Sequence, residues 1–219
     1  MYGLTEAAQY LHLPRATLRA WVDGRYYKAG GERRFSSHLI ERPDPSDERL
    51  SFTNVVEAHV LRALRVEHGV PMQLVRKALE YAESEFGIDR LLISEQLLAS
   101  PGEMFLKEYG RLLSLTRSGQ FSLEQVLERH LRRLSRDVLG LPIRLYPFVA
   151  PDVFNDRRAI TIDPRVAYGR PSIASKGIST AILAERVDAG ESIPELAEYY
   201  GLEREDVEEA LIYEGRRAA

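Results

Sequence analysis

The 219-residue chain contains no cysteine. That excludes disulfides, zinc–thiolate sites, iron–sulfur clusters and thiol nucleophiles, and it fits a reducing compartment. No apolar run approaches the ~20 residues of a membrane-spanning helix or the core of a secretory leader. The expectation is a cytoplasmic protein without a membrane partner. Catalytic signatures are also missing: there is no G-x-S-x-G elbow and no P-loop, and the five histidines (His12, His38, His59, His68, His130) have no ligand spacing. Glu205 and Glu209 share a helical face, and paired carboxylates can hold magnesium or act as acid and base. No histidine or glycine-rich phosphate loop accompanies them. The sequence therefore predicts no enzymatic activity, no metal and no cofactor.

The chain does have 44% hydrophobic residues, enough for one large or several small cores, and a net charge of −3 that is unevenly spread. Residues 1–42 hold seven cations and four carboxylates, a net of +3; residues 191–214 hold Arg204 against nine carboxylates, a net of −8. One end can meet a polyphosphate, and the other would be repelled by it.

The cationic end begins with Leu4-Thr-Glu-Ala-Ala-Gln-Tyr-Leu-His-Leu-Pro-Arg-Ala-Thr-Leu-Arg-Ala-Trp-Val22, two short helices joined by a tight turn. Thr5 is placed to cap the first helix, Ala8 is small enough for a close crossing, and Pro14 sets the backbone entering the second. Leu4, Leu11, Leu13, Leu18 and Trp21 form one apolar side. Arg15, Thr17 and Arg19 lie on the other, the mix of cations and hydroxyl that phosphates and base edges require. Gly24 to Phe35 then reads as a hairpin hinged on Gly30-Gly31. A helix-turn-helix with a cationic hairpin after it resembles the winged DNA-binding domain of MerR-type regulators. That resemblance implies groove and phosphate contacts from Arg15, Thr17 and Arg19, and wing contacts from Lys28, Arg33 and Arg34.

Residues 41–49 hold two prolines among charges and read as a linker. Helical periodicity returns from about Asn54 to His68, with Val56, Val60, Ala63 and Leu64 on one face. It returns again from Pro71 to Gly87, with Val75, Ala78, Leu79, Ala82 and Phe86. Met104–Leu106 and Leu112–Leu115, separated by Tyr109-Gly110, fit either a hairpin or a broken helix and lean to strands. Ser122-Leu-Glu-Gln125 is a capping box opening a helix to about Arg136, with Arg129, Arg132, Arg133 and Arg136 on a solvated outer face. Leu141 to Phe148 alternates with period two but carries two prolines, so it reads as an edge strand or connector. Residues 151–158 cross to a further domain, and 159–164 and 169–173 form a small strand pair.

The last stretch repeats the helix-turn-helix plan: a helix from about Thr180 to Ala189, a stop at Gly190, a capping box Ser192-Ile-Pro-Glu195 opening a helix that ends at Gly201, and a final helix from about Arg204 to Tyr213. The segment that opens this final helix, in the place of a recognition helix, reads Glu203-Arg-Glu-Asp-Val-Glu-Glu209. Each unscreened like-charge pair a few ångströms from phosphate costs on the order of 1 kcal/mol even in water, so this unit binds protein, not DNA.

Ile160-Thr-Ile-Asp-Pro-Arg-Val-Ala-Tyr-Gly-Arg-Pro-Ser-Ile173, Gly177-Ile178, Asp188 to Leu202 and Val207-Glu-Glu-Ala-Leu211 resemble domain-of-unknown-function family 433, a small homeodomain-like module of antitoxins. Ala174-Ser-Lys-Gly177 departs from the Gly-Thr-Arg-like turn more common there. With the winged head and a helical middle, the whole chain resembles VapB-type antitoxins. The resemblance implies a type II toxin–antitoxin pair, in which the antitoxin neutralises a PIN-domain ribonuclease and represses its own operon. An acidic helix could occupy a cationic ribonuclease entrance, which makes Glu205, Asp206, Glu208 and Glu209 the toxin-binding candidates.

The expected fold is mainly α with small β elements. Residues 1–49 form a winged helix-turn-helix with its linker, 50–150 a mainly helical dimerisation region, and 151–219 a trihelical homeodomain-like module behind a short hairpin. The partners are operator DNA, the ribonuclease and a second copy of the chain, with 54–86 and 122–136 as the dimer surface. The alternative is a stand-alone MerR-like regulator whose middle region binds a small ligand.

Overall fold

A computed structural model of the chain describes residues 1–67, 69–87, 90–94, 130–147 and 157–215. They are mainly helical, with small antiparallel strand pairs, as the sequence predicts. Two compact units result: Met1–Arg132 with Asp137–Pro142, and Arg133–Arg136 with Ile143–Ala219.

The first unit opens with α1 (Leu4–Tyr10) and α2 (Arg15–Val22). Gly3, not Thr5, is the N-cap of α1; Glu6 reaches back to accept from the Gly3 N–H at 3.1 Å. Glu6 sits three residues after the cap, where a carboxylate both satisfies a free N–H and faces the positive end of the helix. Ala7, Ala8, Leu11, Leu13, Leu18, Trp21 and Val22 are buried. The Leu13 N–H donates to the Ala8 carbonyl at 2.8 Å, closing the turn.

The wing comes next as β1 (Arg25–Ala29) and β2 (Glu32–Ser36), antiparallel, with Tyr26 opposite Phe35 and Lys28 opposite Arg33. Gly30 and Gly31, at φ +61° and +85°, supply its two-residue turn. Gly24 is required at the wing's base: its φ is +75°, and a Cβ there would stand 2.5 Å from the Ser36 carbonyl and 2.6 Å from the Phe35 ring. After the wing, the N–H groups of Leu39 and Ile40 both donate to the Trp21 carbonyl. Tyr2 and Leu50 then exchange two backbone bonds of 2.8 Å.

Ser51 caps α3 (Phe52–Arg62), with Asn54 closing the box. Residues 54–61 are buried on every side of this helix, including Asn54, Glu57 and His59. A single apolar stripe was expected there, so α3 has no free face to offer a second copy. Within this core Asn54 donates to Glu57 at 3.0 Å, Glu57 meets Arg90 at 3.4 Å, and His59 contacts His130 at 3.3 Å. A π-helical turn, Ala63–Glu67, leads to α4 (Met72–Phe86), which Gly87 ends at φ +60°. Val75 is buried on α4 and Leu79 half-buried; the side chains of Ala78, Ala82 and Phe86 lie outside those described. Leu91–Ile93 is a buried 3-10 turn, and the strands expected at 104–106 and 112–115 fall outside the described residues.

The helix expected from Ser122 to about Arg136 is described only from residue 130, and it ends sooner. Leu134–Arg136 is strand β3, paired with β4 (Pro142–Leu145). The carboxylate of Asp137 accepts from the N–H groups of Leu139 and Leu141, both at 2.9 Å, a side-chain turn that competes with helix. Arg133, assigned to the solvated face, is buried and donates to the Arg157 carbonyl at 2.8 Å.

In the second unit, β5 (Ile160–Thr161) pairs with β6 (Ser172–Ile173), and Leu145 bridges to Ile162. Three helices complete it: α5 (Thr180–Asp188), α6 (Ile193–Tyr200) and α7 (Arg204–Tyr213). The expected capping box opens α6, with Glu195 accepting from the Ser192 N–H at 2.8 Å, and Gly201 ends it in the left-handed conformation. Ile160, Ile173, Leu183, Leu196, Val207, Ala210 and Tyr213 form one core shared by the strand pair and the helices. Fully buried leucines such as Leu183 and Leu196 each stabilise by about 1.5–3 kcal/mol.

Candidate nucleic-acid interface

Arg15 and Arg19 stand one helical turn apart on α2, exposed, and among the described residues neither has a hydrogen-bond or ion-pair partner. Thr17 lies around the helix from them and is half-buried. On the wing Lys28 is exposed and has no partner among the described residues, and Arg33 lies 3.9 Å over the Tyr26 ring. Arg34 is partly spent on Glu32 at 3.4 Å. The six residues expected from the sequence thus split. Among the described residues Arg15, Arg19 and Lys28 are free cations; Arg33 sits over an aromatic ring; Arg34 has a neutralising neighbour; Thr17 lines a cleft.

That cleft, of about 550 Å³, lies within the first unit between α2, the wing and α4. Ala16, Thr17 and Ala20 form one wall, Tyr27 and Phe35 a second, and Arg65, Arg76 and Lys77 a third. Small side chains on α2 leave the space open, and aromatic rings give it a stiff wall. Arg25 also borders it. Arg25, Arg65 and Lys77 are exposed and have no partner among the described residues. Sequence reasoning missed Arg65 and Lys77 because the wing and the proline-bearing stretch 41–49 separate them from the helix-turn-helix. The clustering of basic residues at 62–65 and 76–77 was the available signal.

Arg76 differs from its neighbours. Its guanidinium donates to Ser36 Oγ (3.1 Å), Ser37 Oγ (2.8 Å), and the carbonyls of Ser37 (2.7 Å) and His38 (3.1 Å). It fastens the wing's exit to α4.

In the C-terminal unit the acidic residues are not equivalent. Arg157 pairs with Asp206 at 2.6 Å and with Glu209 at 3.3 Å. Burial raises the Glu209 carboxyl above its ordinary range, with the Arg157 charge opposing the shift. Glu205 is exposed and Glu208 half-buried. Only two of the four candidate carboxylates therefore stand apart from Arg157. Among the described residues no group of three or more His, Asp or Glu side chains could hold a metal ion, and no helix is long and apolar enough to cross a membrane.

Two families match the chain. One, described as "Putative DNA-binding HTH domain", covers residues 1–79, from α1 into α4; the other, "Protein of unknown function (DUF433)", covers residues 160–213, from β5 to α7. The class is thus a two-part protein with a DNA-binding-type helix-turn-helix ahead of a family 433 module. A protein of Mycobacterium tuberculosis named "Putative antitoxin VapB45" is 31% identical, over 96% of this chain and 92% of its own length. The chain belongs to this VapB-type family. "Uncharacterized protein Rv2308" of the same organism is 26% identical, over 97% of this chain and 89% of its own. A crystal structure of Rv2018 from Mycobacterium tuberculosis superposes with a TM-score of 0.66 at 27% identity, covering 96% of both chains.

Proposed function

We propose that this protein is the antitoxin of a type II toxin–antitoxin pair, binding operator DNA through its N-terminal head and a PIN-domain ribonuclease through its C-terminal module. Family membership supports the antitoxin role. The observation that carries DNA binding is the set of cations on α2, the wing and the cleft beside them that have no partner among the described residues: Arg15, Arg19, Arg25, Lys28, Arg65 and Lys77. Free guanidinium and ammonium groups at this density are stabilised by phosphate and released counterions. Arg15 and Arg19 enter the groove with α2, the wing grips the adjoining backbone, and Arg65 and Lys77 take phosphates from the far side of the cleft. One such head meets few phosphates, so a homodimer reads an inverted repeat and represses the operon encoding it. The protein is not itself an enzyme.

The test is binding of a duplex from upstream of the protein's own gene, measured by fluorescence anisotropy over a salt series. Replacing Arg15 and Arg19 by alanine should weaken binding and flatten the log K against log salt plot by about 0.9 per lost phosphate contact. Affinity and slope equal to wild type would overturn the assignment of the reading head.

A further inference from the structure

Between β5 and β6 the chain makes a turn, Asp163 to Arg170, that is both strained and rigid. Ala167, Tyr168 and Gly169 are left-handed in succession, with φ of +48°, +57° and +78°. Non-glycine residues rarely adopt this conformation, and it persists only where surrounding bonds fix it. Those bonds are present: Val166 N–H to the Asp163 carbonyl (2.9 Å), Gly169 N–H to the Val166 carbonyl (2.9 Å) and Arg170 N–H to the Ala167 carbonyl (3.1 Å). The fully buried Asp163 carboxylate anchors the base, accepting from Arg165 N–H at 2.9 Å and from the guanidinia of Arg165 and Arg144 at about 3 Å. At the tip Tyr168 is 96% exposed, set between Arg165 and Arg170 in the chain, and Arg170 is exposed with no ion-pair partner among the described residues. Those bonds hold the backbone, while the Tyr168 side chain has no hydrogen-bond or ring partner among the described residues.

We propose that this turn is the anchor by which the C-terminal module docks its protein partner, Tyr168 entering an apolar socket on that partner rimmed by a carboxylate that meets Arg170. The inference rests on the antitoxin reading above and names the part of the module that grips the ribonuclease. Tyrosine and arginine are the side chains that most often dominate binding energy, and a rigid turn loses little freedom on docking. Charge decides between occupants. Residues 157–215 hold seven cations and twelve carboxylates, a net of −5, so a nucleic acid approaching the turn would be repelled by the unit as a whole. A protein can set a carboxylate against Arg170 and keep its remaining surface neutral or basic opposite α5 to α7.

The experiment uses the full chain and the ribonuclease encoded by the adjoining reading frame, measuring inhibition of RNA cleavage. Tyr168→Ser and Tyr168→Asn should each raise the inhibition constant at least tenfold. Tyr168→Asn, which favours the left-handed backbone, should melt no lower than wild type and so separates docking from folding. Inhibition by both variants equal to wild type would overturn the docking role while leaving the antitoxin reading standing. A wild-type chain that does not inhibit would overturn both. Loss of binding to a single-stranded oligonucleotide, or a halving of the chain's solution mass, with inhibition intact, would assign the turn to nucleic acid or to a second copy and overturn the proposal.

Discussion

At the scale of single residues, an exposed cation's role depends on whether its charge is already spent. Arg186 is bound to Glu191 and lies 4.4 Å from the centre of the Tyr199 ring, so it fastens α5 to α6. Arg15 and Arg19 have no such claim on them and remain available to a ligand. Asp163 is the carboxylate counterpart. Hydrogen bonds from Arg165 outweigh the cost of burial and, with Arg144, hold its carboxyl at about 2. Its unfolded value is ~3.9, so the folded state binds the proton more weakly and gains stability wherever the group is ionised. That gain is complete above the unfolded value and disappears as pH falls toward 2. Acid unfolding of the C-terminal unit, monitored by circular dichroism, should show a loss of about 2 kcal/mol between pH 5 and 2 that Asp163→Asn abolishes. At this scale the sequence was partly legible. Residue type and helical spacing located Arg15, Arg19 and Lys28, but no local pattern tells that Arg157 engages Asp206 and Glu209 some fifty positions away, or that Arg133 is buried.

At the scale of elements, the wing is useful only if it is held in a fixed pose beside α2. Gly24 lets it leave α2, and Arg76 ties its exit to α4 through four bonds. Because that guanidinium is committed to protein oxygens, Arg76→Ala should weaken duplex binding by roughly tenfold, about 1.4 kcal/mol, without changing the salt slope. Protease cutting of the wing should rise in parallel. A reduced slope would instead make Arg76 a phosphate contact. Elements with strong local punctuation were legible in the sequence: the Gly30-Gly31 hinge, the Ser192/Glu195 box, and the stops at Gly87, Gly190 and Gly201. The stretch at 134–145 was not. Leu131 and Leu134 continue a helical spacing, and the competing signal was the Asp137 side-chain turn, with Gly140 beyond it at φ +78°. For α1 the sequence points to Thr5, a better intrinsic cap than Gly3, whereas the position of Glu6 three residues after Gly3 decides the register.

At the scale of the whole molecule, the chain carries two helix-turn-helix units with opposite charge, and this division comes directly from composition. Residues 1–42 are net +3 and 191–214 net −8, so one unit suits a polyanion and the other does not. Composition cannot supply the surface each unit uses. The cleft beside α2 draws on Arg65 and Lys77 from beyond the wing, and the left-handed turn at Tyr168 is set by bonds to the buried Asp163. The role proposed for the protein is to join an operator to a ribonuclease. The most direct measurement is co-expression of the full chain with the product of the adjoining reading frame, purification through a tag on that product, and mass determination of the eluate with and without operator duplex. The expected result is a stable complex containing both proteins, with ribonuclease activity suppressed, whose mass rises by one duplex when DNA is added. A ribonuclease that elutes alone and active would contradict it.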